Sequence, residues 1–300
     1  MKDKTGKAVF GRHETFALRY SWLTKGFQAD KNIFSDDKAT VELGVGKNMV
    51  KSIQYWLKAC QIKDDTMDPT PIGEAIFSEH GFDPYLEDEA TIWLIHWLLA
   101  SNKELATAIY WFFNHFHKPE FSAIEVQTAL ADFAKDKLQS KTSVKTIKND
   151  ALLILRMYSQ NRSNKRTPLE ESLDSPLSLL RLISHSPDGR DYFSRSESRS
   201  QLPLGILGFA IAELFIKKET PALPIEELMY SKSADIAPGS IFRLTENDLI
   251  AKLEQLETYI PGIFKIRETA GIHQFFLLEN IEPTIFLEKH YAINSEDKVA

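Results

Sequence analysis

The chain has 300 residues with a net charge of −6, and 43% of them are hydrophobic while 26% are charged. This composition predicts a globular chain of two or three packed domains and excludes an intrinsically disordered one. The longest apolar runs, 91–100, 105–114 and 202–216, are shorter than the roughly 20 residues that cross a bilayer, and no signal-like leader opens the chain. We therefore expect a cytoplasmic protein with no membrane contact, and the single cysteine, Cys60, excludes an internal disulfide framework.

Residues 10–27 form the first predicted element, a short strand or turn followed by a helix. The word LGVGKNMVKSIQYW then places a Gly-x-Gly-Lys before a second helical pattern. A phosphate-binding P-loop is excluded, because Val41 stands where its first glycine is required and Asn48 stands where its metal-binding hydroxyl is required. The word therefore does not predict a nucleotide-binding loop.

The same stretch fits a helix-turn-helix. Ser35 is placed to cap a helix over 36–43, Gly44 supplies a tight corner, and 47–60 forms the second helix. Residues 70–77 follow at the position of the wing, the strand or turn that succeeds the recognition helix in winged-helix proteins. We therefore predict a winged-helix unit in this part of the chain.

The second helix of this unit carries a polar stripe that is suited to DNA. Residues 1–63 hold 12 Lys or Arg against 6 Asp or Glu, so this part is basic although the whole chain is acidic. Lysines bind phosphates, and Asn and Gln read adenine edges in the major groove. The alternative is an ordinary surface helix whose lysines are solvated. The predicted DNA-binding residues of this helix are Lys47, Asn48, Lys51, Gln54 and Lys58.

After an N-terminal unit over 1–118, a second basic unit is predicted over 119–168. Ser143 is placed to cap a helix whose apolar positions follow helical spacing. From 141 to 166 the chain has seven Lys or Arg and one acid, which makes this its most basic window. The alternative is a solvated helix followed by a disordered linker. The predicted DNA-binding residues here are Lys141, Lys145, Thr146 and Lys148, followed by a linker with Arg162, Lys165 and Arg166.

A third, C-terminal domain is predicted over 169–300. Thr245 is placed to cap a helix, and 263–278 predicts a β-hairpin that turns at 270–271. The last part of this domain is acidic, so we expect it to contact protein rather than DNA. The predicted fold class is mainly α, with several helix-turn-helix or winged-helix units and small β-hairpin wings around a helical core.

Six words of the sequence resemble one bacterial family: GRHETFALRYSWLTKGF, LGVGKNMVKSIQYWLKA, TPIGEAIF, DPYLEDEATIWLIHWLLASN, ATAIYWFFN and RETAGIHQ. This is the domain-of-unknown-function family 4007, and the resemblance spans about residues 10–290. Members of this family look like the SspB component of bacterial DNA phosphorothioate modification and phage-defence clusters. The resemblance implies binding to double-stranded DNA, nicking of one strand to allow sulfur insertion, and work beside a cysteine desulfurase, an ATPase and a sulfur transferase. It carries no catalytic motif onto named positions.

A nickase would use a proton-transferring side chain and phosphate-binding cations, which one short segment supplies. We predict His13 and Glu14 as catalytic residues, with Arg12 and Arg19 as neighbouring DNA-binding residues. The alternative is structural, because His13 and Glu14 are also placed to cap or staple the first helix.

A nickase would also use carboxylates that hold Mg²⁺ or Mn²⁺. We predict a metal site at Asp83, Glu87 and Asp88, whose alternative is the simple initiation of the following helix. If the chain does not nick DNA, no cofactor is expected. It is then a non-catalytic winged-helix DNA-binding adaptor that recruits sulfur-transfer partners, or a scaffold that contacts protein alone.

Overall fold

The computed structural model describes residues 8–35, 38–160, 175–230, 236–269 and 272–297. The chain divides into two compact units, Met1–Phe112 with Phe116–Arg195, and Phe113–His115 with Ser196–Ala300. Both are mainly helical with a small antiparallel sheet, as the sequence predicts for the fold class. The three domain ranges predicted from composition stay predictions.

The first unit is built on helices. They are α1 (Tyr20–Gln28), α2 (Ala39–Glu42), α3 (Lys47–Ala59), α4 (Pro71–Phe77), α5 (Glu89–Ala100), α6 (Thr107–His115), whose last three residues are assigned to the second unit, α7 (Ala123–Asp136) and α8 (Val144–Tyr158). Short 3-10 helices lie at Lys31–Ser35 and Pro176–Leu180. Helix α5 is buried along its whole length from Ala90 to Ala100, so it is the centre of this unit's core. No helix in the described ranges is long and apolar enough to cross a membrane.

The sheet of the first unit has three short strands, β1 (Glu120–Ser122), β2 (Ser184–His185) and β3 (Asp191–Phe193), in the order β1-β3-β2. Helix α7 begins directly after β1 with a capping box, in which Ser122 accepts from the backbone of Glu125 and Glu125 accepts from Ser122. Helices α7 and α8 pack together.

The second unit surrounds one apolar helix. Its helices are α9 (Leu204–Lys218), α10 (Ile225–Met229), α11 (Pro238–Ile241), α12 (Glu246–Tyr259) and α13 (Thr284–Asp297), and its strands are β4 (Ala222–Pro224), β5 (Phe264–Thr269) and β6 (Ile272–Leu277). The sheet order is β4-β6-β5. Helix α9 packs on α12 and α13, and a Cβ at Gly208 would lie 2.4 Å from the Phe286 ring, so this glycine permits the close approach of α13.

Several sequence predictions are confirmed. Helix α3 spans Lys47–Ala59 after a corner at Gly44, which has a φ of +66°. Ser143 and Thr245 accept hydrogen bonds from the third backbone N–H of the helices that follow them, so both are N-caps. The predicted hairpin is present as β5 and β6, although its turn at 270–271 lies outside the described residues.

The predicted wing at 70–77 is wrong, because these residues form helix α4. Thr70 accepts from the backbone N–H of Gly73, and Pro71 occupies the first helical position, where its missing N–H costs nothing. A Cβ at Gly73 would lie 2.1 Å from the Ile62 carbonyl oxygen, so α4 packs directly on the backbone that follows α3. Winged-helix units are therefore not confirmed.

The predicted helix over 36–43 is also wrong in its extent. Helix α2 covers Ala39–Glu42, and Ser35 ends a 3-10 helix instead of capping α2. Residues 36 and 37 lie outside the described residues.

Candidate nucleic-acid interface

The turn at residues 11–15 is held to α8 by buried polar bonds. His13 is 4% exposed, and its Nε2 lies 2.9 Å from Oδ1 of Asp150. The backbone N–H of Gly11 donates to the other oxygen of Asp150 at 2.9 Å, and the backbone N–H of Thr15 donates to Nδ1 of His13 at 3.1 Å. Because Nδ1 accepts, the ring proton is on Nε2 and donates to Asp150.

The same turn is held to α3. The His13 ring stacks on Trp56 with 6.2 Å between ring centroids, and the indole N–H of Trp56 donates to the Phe16 carbonyl at 3.2 Å. Arg156 of α8 donates to the Thr15 carbonyl at 2.6 Å. One turn therefore links two helices that lie about a hundred residues apart in the sequence.

This linkage places cations from three segments on neighbouring surfaces. Lys51 of α3 lies 3.7 Å from the carboxylate of Glu14 in the turn, and Arg12 is exposed beside it. Lys145 and Asn149 are exposed at helical spacing on α8, and Gly11 lies against Thr146 of that helix so closely that a Cβ would be 2.5 Å from the threonine methyl. We call the exposed side chains of this region the cationic face; its members are Arg12, Lys47, Asn48, Lys51, Lys145 and Asn149.

The other predicted residues of α3 are less available. Gln54 is half-buried. Lys58 is also half-buried, and it donates to the Asp65 carbonyl at 2.9 Å while its ammonium lies 3.9 Å from the Asp65 carboxylate. Tyr55 donates to the Leu105 carbonyl, and burial raises the pKa of its phenol. The N-terminal half of α3 therefore presents the polar stripe, and its C-terminal half packs against the protein.

The remaining predicted residues near α8 divide in the same way. Lys141 is exposed, and Lys148 is half-buried. The Thr146 hydroxyl lies 2.8 Å from that of Ser143, the N-cap, so Thr146 belongs to the start of the helix. Arg162, Lys165 and Arg166 lie outside the described residues.

Beside the start of α3 lies a groove of about 920 Å³, which we call the cationic groove. Arg19 and Lys25 of the α1 region line it, and no Asp or Glu does among the described residues. Tyr20, 41% exposed, adds an aromatic ring, and Gly46 caps α3 without a side-chain bond. The N–H groups of the first helical turn are therefore open to an anion, which the helix dipole also favours.

Sequence reasoning missed this groove because distant segments build it. Its lining combines α1, the 44–46 corner and the 3-10 helix Pro176–Leu180, which contributes Ser178 and Leu179. The Gly-x-Gly-Lys word is a usable signal for the open N-terminus of α3 at this groove. No local pattern joins that word to residues 178–179.

Asp83 and Asp88, two of the three predicted metal ligands with Glu87, are engaged by hydrogen bonds within the protein. Both oxygens of the buried Asp83 are occupied, one by the backbone N–H of Glu87 at 2.8 Å and the other by the N–H of Asp88 at 3.0 Å and the Thr91 hydroxyl at 2.6 Å. Asp88 is the N-cap of α5. Within the described ranges no group of three or more His, Cys, Asp or Glu is placed to hold a metal ion. The side chains of Asp83 and Asp88 stabilise the start of the central helix, and the assignment of the three residues as metal ligands stays a prediction.

The side chains of His13 and Glu14, the predicted catalytic residues, make contacts within the protein. Both ring nitrogens of His13 are engaged inside the protein, and Glu14 faces Lys51. Glu14 and Thr15 have φ values of +48° and +68°, which few non-glycine residues adopt, so the buried bonds of the turn maintain a strained backbone. Their catalytic assignment stays a prediction.

The family of the chain is established by a family model, described as a protein of unknown function (DUF4007), that matches residues 10–291. The chain therefore belongs to the DUF4007 family. It is also similar to two solved structures, a magnesium ion-bound SspB crystal structure and an SspB crystal structure, with TM-scores of 0.83 and 0.82. Each is 27% identical to this chain, and each match covers 96% of this chain and 89% of the other. No curated protein matches it.

Proposed function

We propose that this protein is the DNA-engaging component of a bacterial DNA phosphorothioate modification and phage-defence system, and that it holds duplex DNA on the cationic face. One observation carries the proposal: the turn at 11–15 brings exposed cations of α3 and α8 to neighbouring surfaces through the His13–Asp150 bond. The likeness to SspB structures at 27% identity supports the choice of system.

The side chains of this face suit a phosphate backbone. Lys47, Lys51 and Lys145 are exposed ammonium groups that neutralise phosphates, and Asn48 supplies an amide that can pair with an adenine edge. Arg19 and Lys25 extend the positive charge into the cationic groove, where the open N–H groups of α3 suit a phosphate of the same DNA.

The nicking activity implied by the family resemblance belongs to the same proposal, with Mg²⁺ or Mn²⁺ as its expected cofactor. One similar SspB structure is magnesium ion-bound. The carboxylates predicted for this role do not fit such an ion here, because Asp83 and Asp88 accept hydrogen bonds that start α5. No step of strand cleavage is therefore assigned to them. A cysteine desulfurase, an ATPase and a sulfur transferase are the proposed protein partners.

Charge reversal with a salt titration tests the DNA interface. Lys47→Glu, Lys51→Glu and Lys145→Glu combined should weaken duplex binding by on the order of 100-fold. The negative slope of log affinity against log salt should become shallower by about 2.7, because each of the three lost phosphate contacts contributes about 0.9 to its magnitude. Fluorescence anisotropy with a labelled duplex measures both quantities.

The matched control reverses three other exposed lysines of the first unit, Lys103, Lys135 and Lys137, so the change in net charge is identical. The control should lose far less affinity, since general attraction is altered equally while the contacts remain. A folded triple variant of the cationic face that keeps wild-type affinity would contradict the proposed interface.

A second candidate function is a non-catalytic DNA-binding adaptor that recruits sulfur-transfer enzymes. This function is favoured because His13, a predicted catalytic residue, and Asp83, a predicted metal ligand, both make hydrogen bonds inside the protein. Conversion of supercoiled plasmid to open circle, with Mg²⁺, with Mn²⁺ and with EDTA, separates the two functions. Metal-dependent nicking that co-purifies with the protein and is lost in the DNA-binding triple variant supports the nickase, and its absence in all three conditions supports the adaptor.

A further inference from the structure

The second unit has a groove of about 870 Å³ with a different character. It lies where the end of α9, the start of β4 and the segment after β6 come together. We call it the acidic groove. Its apolar side chains include Phe215, Ile216 and Leu278, and its charged side chains are Glu219, Glu279 and Glu282.

Large apolar side chains at this groove are open to solvent. Phe215 is buried beneath it and packs on Phe264 and Phe275, with 5.9 Å and 6.3 Å between ring centroids. Ile216 is 53% exposed and Leu278 is 47% exposed on that support. Neighbouring exposed apolar groups on a rigid aromatic floor are typical of a surface that a partner covers.

The carboxylates of the groove have no ion-pair partner in the described part of the chain. Glu219, Glu279 and Glu282 are exposed, and no Lys, Arg or His lies within ion-pair distance of them among the residues that the structure describes. Lys218, which is close in sequence, pairs instead with Glu227 at 2.8 Å. The charged side chains that line the groove are therefore all acidic among the described residues.

The position of Glu219 is unfavourable for the stability of the isolated unit. It is the C-cap of α9 and has a φ of +50°, a conformation that glycine usually supplies at a helix end. A carboxylate there also faces the negative end of the helix dipole of a 15-residue helix. Lys217 and Lys218 lie in the same last turn, and a cation bound against Glu219 from outside would add to their effect.

We propose that the acidic groove docks a basic segment of a partner protein, an amphipathic helix that inserts Leu, Ile or Phe side chains between Ile216 and Leu278 and sets Lys or Arg against the three carboxylates. The combination of exposed apolar anchors and unpaired charge of one sign is what helix-in-groove recognition requires. Nucleic acid is unsuited to this groove, because its phosphates carry the same charge as the rim. The proposal does not depend on DNA binding by the first unit.

A set of three labelled peptides tests this docking by fluorescence anisotropy with the full-length chain. The first is a 15-residue helical peptide with Leu at positions i, i+4 and i+7 and with Lys or Arg on the remaining face, a length of about four helical turns. The second replaces every basic residue by Glu, and the third replaces every Leu by Ser. We expect the first peptide to bind at least about tenfold more tightly than either of the others, a difference of about 1.4 kcal/mol.

Groove variants locate the binding. Glu219→Gln, Glu279→Gln and Glu282→Gln combined should weaken the first peptide about tenfold, and so should Ile216→Ser with Leu278→Ser. The matched control, Glu246→Gln, Glu254→Gln and Glu288→Gln, removes the same number of exposed carboxylates elsewhere in the second unit and should leave peptide affinity unchanged.

Each variant is also measured for duplex DNA affinity and thermal unfolding, so a failure of this proposal is distinguishable from a failure of the DNA interface and from misfolding. The docking proposal is overturned if the first peptide does not bind the wild-type chain, if the acidic peptide binds equally well, or if folded groove variants keep wild-type peptide affinity. Equal loss in the groove and control variants would reduce the effect to general electrostatic attraction and would also overturn it.

Discussion

The cationic groove of the first unit and the acidic groove of the second have similar volumes, about 920 and 870 Å³, but opposite charge. Arg19 and Lys25 line one, and Glu219, Glu279 and Glu282 line the other; among the described lining residues the first has no carboxylate and the second has no lysine or arginine. The net charge of −6 conceals this separation. Each unit should therefore be tested for a partner of opposite charge, an anionic one for the cationic groove and a cationic one for the acidic groove.

The regions around the two grooves are also stabilised by different kinds of contact. The cationic face depends on buried polar bonds between distant segments, chiefly those of His13 and Gly11 to Asp150. The acidic groove lies on an apolar floor, in which the rings of Phe264 and Phe275 are 4.9 Å apart. A single polar substitution should therefore disturb the first region more than the second.

The largest expected effect is that of Asp150→Ala. The substitution leaves the Nε2–H of His13 and the N–H of Gly11 buried without their acceptor, so the free energy of unfolding of the first unit should fall by about 3 kcal/mol. Duplex DNA affinity should fall with it, because the 11–15 turn no longer positions α3 beside α8. Chemical denaturation and DNA titration measure the two effects.

Asp132→Ala, at an exposed position of α7, is the control for Asp150→Ala and should change both quantities little. The basic peptide should keep its affinity for the acidic groove in both variants. An Asp150→Ala chain with unchanged stability and DNA affinity would show that the turn does not support the cationic face.

A smaller effect is expected for Lys47→Ala. Loss of one phosphate contact should make the negative slope of log affinity against log salt shallower by about 1. It should also weaken duplex binding almost uniformly across DNA sequences. Glu279→Ala in the acidic groove should leave that slope unchanged. Equal changes in salt dependence for the two substitutions would contradict the assignment of DNA to the cationic face alone.

The smallest effect concerns a carboxylate that is paired, in contrast to those of the acidic groove. Partial burial raises the pKa of Glu257, but hydrogen bonds from Lys265 at 2.6 Å and from the backbone N–H of Ile266 at 2.5 Å outweigh it, so the pKa lies below the usual 4.5. The ionised Glu257 therefore stabilises the folded state above about pH 4.5, and this contribution is lost as the pH falls through the lowered value.

Thermal unfolding of Glu257→Gln as a function of pH measures this contribution. The variant should be less stable than the wild type by about 1 kcal/mol at neutral pH, and the gap should close as the medium becomes acidic. Glu279→Gln should show no such gap, because Glu279 has no ion-pair partner among the residues that the structure describes. A pH-independent difference for Glu257→Gln would contradict the assigned ion pair.

Much of the fold could be predicted from local patterns. Helix α3 follows from apolar spacing after a glycine corner, and the N-caps Ser143 and Thr245 follow from short hydroxyl side chains before apolar periodicity. The wing at 70–77 was wrong because Thr70 and Pro71 are also the signals of a helix start, and Gly73 is used there for close packing.

The candidate site could be predicted only in part. The exposed lysines of α3 and α8 were identified one segment at a time, because charge is visible in the sequence. The bond between His13 and Asp150 joins residues 137 positions apart, and no spacing rule connects them. The contacts of Lys58 with Asp65 and of Asp83 with the start of α5 are local, but they depend on turn conformations that the spacing of charges does not show.

The most direct test of the account is a lysine-reactivity footprint of the full-length chain with and without duplex DNA, read by mass spectrometry after brief acetylation. We expect DNA to protect Lys47, Lys51 and Lys145 strongly, while Lys135 on α7 and Lys289 in the second unit keep their reactivity. Protection of all lysines alike, or protection confined to the second unit, would contradict the assignment of DNA to the cationic face.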